Sequence, residues 1–98
     1  MTSFDLEDAE ALLTQLRRFY ETLREEWSSV SNQWGNLKSV WHDVQFDKFE
    51  PLFEKLSDTH RESEKECEEY IAFMKEQIQI AQEVRDRLKD KLGAMENL

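Results

Sequence analysis

The chain has 98 residues, room for one domain, and its charged (36%) and hydrophobic (39%) residues are interrupted by only two glycines and one proline, a composition that favours few, long helices. The net charge of −9 is shared between residues 1–44 (−4) and 45–98 (−5), which excludes an acidic tail and the basic stripe that nucleic acid requires. The single cysteine, Cys67, excludes an intrachain disulfide, and no apolar run approaches the ~20 residues that cross a bilayer.

The first predicted element carries an apolar repeat with steps of three and four: Leu6, Ala9, Leu13, Leu16, Tyr20, Leu23, Trp27, Val30, Trp34, Leu37, Trp41, Val44. A mean spacing of about 3.5 places these side chains on one line of a helix and predicts a helix over about 4–41. Trp27, Trp34 and Trp41 share one heptad position. Ser3 is the expected N-cap, with Asp5, Glu7 and Asp8 near the positive end of the helix dipole. Ser28, Ser29, Ser31, Asn32, Gly35 and Asn36 are weak helix formers, so a kink is expected near Gly35. The beginning MTSFDLEDAE is acidic and lacks a basic region before an apolar core; the expectation is a cytoplasmic protein, or one secreted without a Sec signal peptide.

The turn is expected at about 42–47. Asp47 and Glu50 have the spacing of a capping box, and Pro51 then falls in a first turn, where its missing N–H is tolerated. The second helix is expected over about 48–92, with Phe46, Phe49, Phe53, Leu56, His60, Ser63, Cys67, Tyr70, Met74, Gln77, Ala81, Val84 and Leu88 as its line and Gly93 as its stop.

A short turn between two long helices dictates an antiparallel pair in which facing positions sum to about 89. Trp27 then meets the smaller or more polar His60 and Ser63, and Asp5, Glu7, Asp8 and Glu10 lie beside Arg85, Arg87 and Lys89. Leu12, Phe19, Leu52, Ile71, Ile78, Ile80 and Leu92 fall off the two lines and suit a second contact face. Two helices alone bury little, so the expected fold class is all-α, an antiparallel two-helix hairpin that dimerises into a four-helix bundle. The expected interface residues are Tyr20, Trp27, Trp34, Leu37, Trp41, Phe53 and Tyr70.

Enzyme chemistry finds little support. His42 and His60 are the only neutral-pH bases, and neither has a Glu three residues before it, as di-iron bundles require. Cys67 is flanked by Glu66, Glu68 and Glu69, which disfavour a reactive thiolate. No phosphate-binding loop or nucleophile motif is present, so no catalytic residue, metal, cofactor or small-molecule substrate is expected. An acidic polar face also argues against a membrane-surface helix.

Length, turn position and the Trp41-to-Phe49 spacing of eight give the chain a resemblance to the WXG family, small early-secreted-antigen-like helical hairpins associated with type VII secretion. The resemblance covers the whole chain. The family's Trp-x-Gly turn reads Trp41-His42-Asp43 here, and neither Tyr20 nor Tyr70 is followed four residues later by an acid, the family's export signal. What the resemblance implies is a non-enzymatic interaction module that pairs with itself or a similar hairpin, as a secretion substrate or a secretion-associated partner. The alternative is a cytoplasmic coiled-coil adaptor or assembly subunit unrelated to secretion.

Overall fold

A computed structural model describes residues 4–96, which form two helices, α1 (Leu6–Lys38) and α2 (Val44–Glu96), packed antiparallel in a rod of 83 × 23 × 15 Å. The all-helical hairpin expected from the periodicity is the architecture observed. Ser3 lies outside the described residues. Asp5 occupies the N-cap position of α1, with extended backbone (φ −85°, ψ 108°) and its carboxylate accepting the Asp8 N–H at 3.0 Å. α1 runs unbroken through the serine and asparagine stretch and through Gly35, because packing of its apolar line outweighs the weak propensity there.

α1 ends at Lys38, three residues earlier than expected. The Ser39 N–H reaches the Gly35 carbonyl at 3.3 Å, and the N–H groups of Val40 and Trp41 converge on the Leu37 carbonyl at 3.1 and 2.9 Å, closing the last turn. α2 starts at Val44 instead of 48. Asp43, and not Asp47, takes the capping role: its Oδ1 accepts the Phe46 N–H at 3.0 Å. Asp47 is inside the helix and donates its own N–H to the Asp43 carbonyl at 3.3 Å. The hydrogen bond from Phe46 N–H, and a second from the Trp41 side chain, hold the Asp43 carboxyl below its ordinary value of 3.8. With this start Pro51 is the eighth residue of α2, so the Asp47 carbonyl lacks its helical donor.

α2 also passes through Gly93 to Glu96, where a stop was expected. Glycine ends a helix by turning left-handed, and no glycine among the described residues has positive φ.

The best-buried cluster joins Ala9 and Leu13 of α1 to Ile78 of α2, with Leu6, Ile71 and Met74 packed against it. Ile71 and Ile78 were expected on the outer face and instead look inward. The inward line of α2 runs through Phe46, Glu50, Phe53, Ser57, His60, Glu64, Cys67, Ile71, Met74, Ile78 and Ala81. At alternate steps it lies one residue later than the expected line, a rotation of part of a turn. In α1 the same shift brings Ser31 inward where Val30 was expected.

The register is close to the expected one, with Trp27 opposite His60, Tyr20 opposite Glu68 and Lys38 opposite Glu50. The expected charge alignment at the open end is not formed. Glu10 Oε1 accepts from Gln82 at 3.1 Å, Arg85 pairs with its neighbour Asp86 at 3.7 Å, and among the described residues no ion pair joins the acids of 5–10 to Arg85, Arg87 or Lys89. The reason is length. At 1.5 Å per residue the 53 residues of α2 span about 80 Å and the 33 of α1 about 50 Å, so those bases sit where α2 extends past α1.

Candidate interaction surface

Aromatic rings fill the seam from the turn to the middle of the hairpin. Trp41 meets Phe46 edge-on at 5.5 Å between centroids and Phe49 at 6.0 Å. Trp34 stacks on Phe53 at 4.3 Å and touches Phe46 and Phe49 at 5.6 Å each. Trp27 stacks on Phe53 at 5.7 Å and on His60 at 4.5 Å. The turn residues Trp41, Asp43 and Phe49 thus come together: Asp43 caps α2 while the two rings close the end of the seam. Trp27, Trp34, Trp41 and Phe53 are half-buried there.

His60 is buried beneath Trp27. Its Nε2 lies 3.1 Å from Glu64 Oε1, near in distance but not aligned to form a hydrogen bond. Tyr20, also half-buried, donates its hydroxyl to Glu68 Oε1, a bond that raises the phenol above its ordinary 10.0 because the ionised form would face that carboxylate. Cys67 is buried and unpaired in the seam.

The two edges of the seam differ. One is spanned by polar links: Arg24 to Glu64 at 3.8 Å, Lys38 to Glu50 at 3.4 Å, and Tyr20 to Glu68. The other is open and apolar. There a groove of about 340 Å³ is lined by Leu23, Glu26, Trp27 and Val30 of α1 and by Leu56, Thr59, His60 and Ser63 of α2. These residues define the heptad positions that face this edge, because side chains seven apart lie above one another in a coiled coil.

Followed along both helices, the same positions carry most of the exposed large apolar side chains. From α1 come Leu12 (49% exposed), Phe19 (58%), Val30 and Leu37; from α2 come Phe49, Leu52, Leu56, Tyr70, Phe73 (60%), Ile80 and Val84. Leu37 and Tyr70, two of the expected interface residues, lie on this face and not in the seam. Phe73 was not singled out from sequence, although it stands seven residues before Ile80. Exposed apolar patches of this kind mark sites of protein or membrane interaction or ligand-binding grooves.

Among the described residues, no group of three or more His, Cys, Asp or Glu side chains is placed to hold a metal ion, and no helix is long and apolar enough to cross a membrane. No family model matches the chain, and no match is found among curated proteins.

Proposed function

We propose that this chain is a non-enzymatic protein–protein interaction module, a helical hairpin that docks a second hairpin on its open apolar face to complete a four-helix bundle. The observation that carries the reading is the asymmetry of the two edges. Ion pairs cross one, where a groove of about 400 Å³ is bordered by the charged Arg17, Glu21, Glu68 and Lys75, and the other exposes Leu12, Phe19, Leu56, Tyr70, Phe73 and Ile80. Among the described residues the two-helix seam has no fully buried large side chain, and a second pair of helices laid on that face converts it into a bundle core.

The resemblance to the WXG hairpins supports a secretion-associated role for this pairing. Trp41 and Phe49 stand where that family's turn has its aromatic pair, and they are in contact. One observation favours the second reading, an adaptor outside secretion. Asp43 replaces the motif glycine, and the turn is built from a side-chain cap with no positive φ among the described residues, so a hairpin of this kind needs no Trp-x-Gly signature.

The test is the mass of the assembly isolated from the native source, by light scattering, for the wild-type chain and for a Phe19→Asp, Phe73→Asp double variant. Pairing predicts a two-hairpin particle for the wild type and its loss in the variant. A wild-type chain that runs as a single 11.8 kDa hairpin refutes the reading.

A further inference from the structure

The charges on and beside the apolar face are sorted by sign. On α1 the heptad row at its outer border reads Asp8, Gln15, Thr22 and Ser29, and Glu26 stands on the face itself. Every charge there is an acid, and all four α1 bases, Arg17, Arg18, Arg24 and Lys38, fall on other positions. On α2 the corresponding positions from the middle onward hold Glu62, Glu66, Glu69, Glu76 and Glu83, followed by Arg87 and Asp90 where α2 runs past α1. Asp8, Glu26 and those five glutamates are all exposed, and among the described residues none of these seven carboxylates joins an ion pair. The cross-helix ion pairs lie on the opposite edge, as Arg24 with Glu64 and Lys38 with Glu50. The bases on these α2 positions are Lys48 and Lys55 near the turn and Arg87 beyond the end of α1.

From this pattern we infer that the partner is a different chain, a helical protein whose apolar seam is bordered by lysine and arginine, and not a second copy. The inference rests on the docking face proposed above. Helices that dock side by side bring their flanking positions together, and the flanks select the partner. A second copy, even laid antiparallel so that its Lys48 and Lys55 meet the far acids, offers only those lysines and Arg87 against seven carboxylates, and like charges held close resist association. A basic-flanked partner supplies a counter-charge to each of those carboxylates. The same sorting gives the pairing a direction, since the acids concentrate away from the turn.

The test uses the intact chain and two designed peptides that share one leucine seam, one with lysine and one with glutamate at the flanking positions. Titration should show the lysine peptide binding at least about tenfold more tightly at low salt, with that advantage shrinking as ionic strength rises. Replacing Glu66, Glu69 and Glu76 with Gln should weaken lysine-peptide binding roughly tenfold, while the equal charge change Glu21, Glu25 and Glu54→Gln, on other positions, should cost less than about twofold. Phe19→Asp with Phe73→Asp should abolish binding. Equal affinity for the two peptides, or equal losses from the two triple variants, overturns the inference. A homodimer through Phe19 and Phe73 that is tighter than the lysine-peptide complex also overturns it, and leaves the pairing of hairpins standing. A chain that stays single and binds neither peptide removes both.

Discussion

Trp34 and Phe53 lie 4.3 Å apart between ring centroids with their planes 16° from parallel, and this stack links the turn end of the hairpin to its middle. Trp34 also touches Phe46 and Phe49, so one indole holds three rings of α2. Trp34→Ala should cost about 3 kcal/mol, combining lost burial with lost ring contacts. Urea unfolding checks this; a loss below about 1 kcal/mol would mean the seam does not depend on the stack.

Pro51 sits at a position in α2 where any other residue would donate to the Asp47 carbonyl. Pro51→Ala should therefore stabilise the hairpin, by about 2 kcal/mol against the ~3 kcal/mol interior penalty of proline. A neutral or destabilising result would show that the helix relies on the ring at that point.

Gly35 and Gly93 are both helical, and a Cβ at either meets nothing within 4 Å. Gly35→Ala should stabilise by roughly 0.5–1 kcal/mol, because alanine loses less backbone freedom on folding. Gly93→Ala should act in the same direction. Thermal melts of the two variants report both effects.

Asp43 caps α2 in its ionised form, and its carboxyl is held low by the Phe46 N–H. A depressed carboxyl contributes stability that is fully present above the ordinary value of 3.8 and fades as pH falls through the folded value. Asp43→Asn should retain the cap and remove this acid-side dependence, Asp43→Gly should cost little, and Asp43→Ala should lower the melting temperature most. Tyr20 behaves oppositely. Its raised phenol contributes stability below its ordinary value of 10.0 that is lost as pH climbs through the folded value. Phenolate absorbance should show a late-titrating component that Tyr20→Phe removes.

The hairpin, its turn region and its register were readable because an uninterrupted 3,4 repeat has one low-energy solution when a short polar turn divides it. The element ends were less readable. Asp43 and Asp47 both precede suitable first turns, and Pro51 argued for the later cap, yet closing the seam with Trp41, Phe46 and Phe49 outweighs the proline penalty. The rotation of α2 was ambiguous for a related reason. Tyr70-Ile71 and Gln77-Ile78 each offer two adjacent residues for one inward place, and only the facing helix selects Ile71 and Ile78. The open face followed from that choice, since it turns Tyr70 outward beside the exposed Phe73.

A role in assembly depends on the open apolar face being the place where a second hairpin docks. The most direct measurement is the solution mass of natively isolated protein, wild type beside Phe19→Asp with Phe73→Asp, with helicity checked by circular dichroism. The prediction is a two-hairpin particle for the wild type and a helical single hairpin of 11.8 kDa for the variant. A wild-type particle of single-hairpin mass, or a variant that remains assembled, contradicts it.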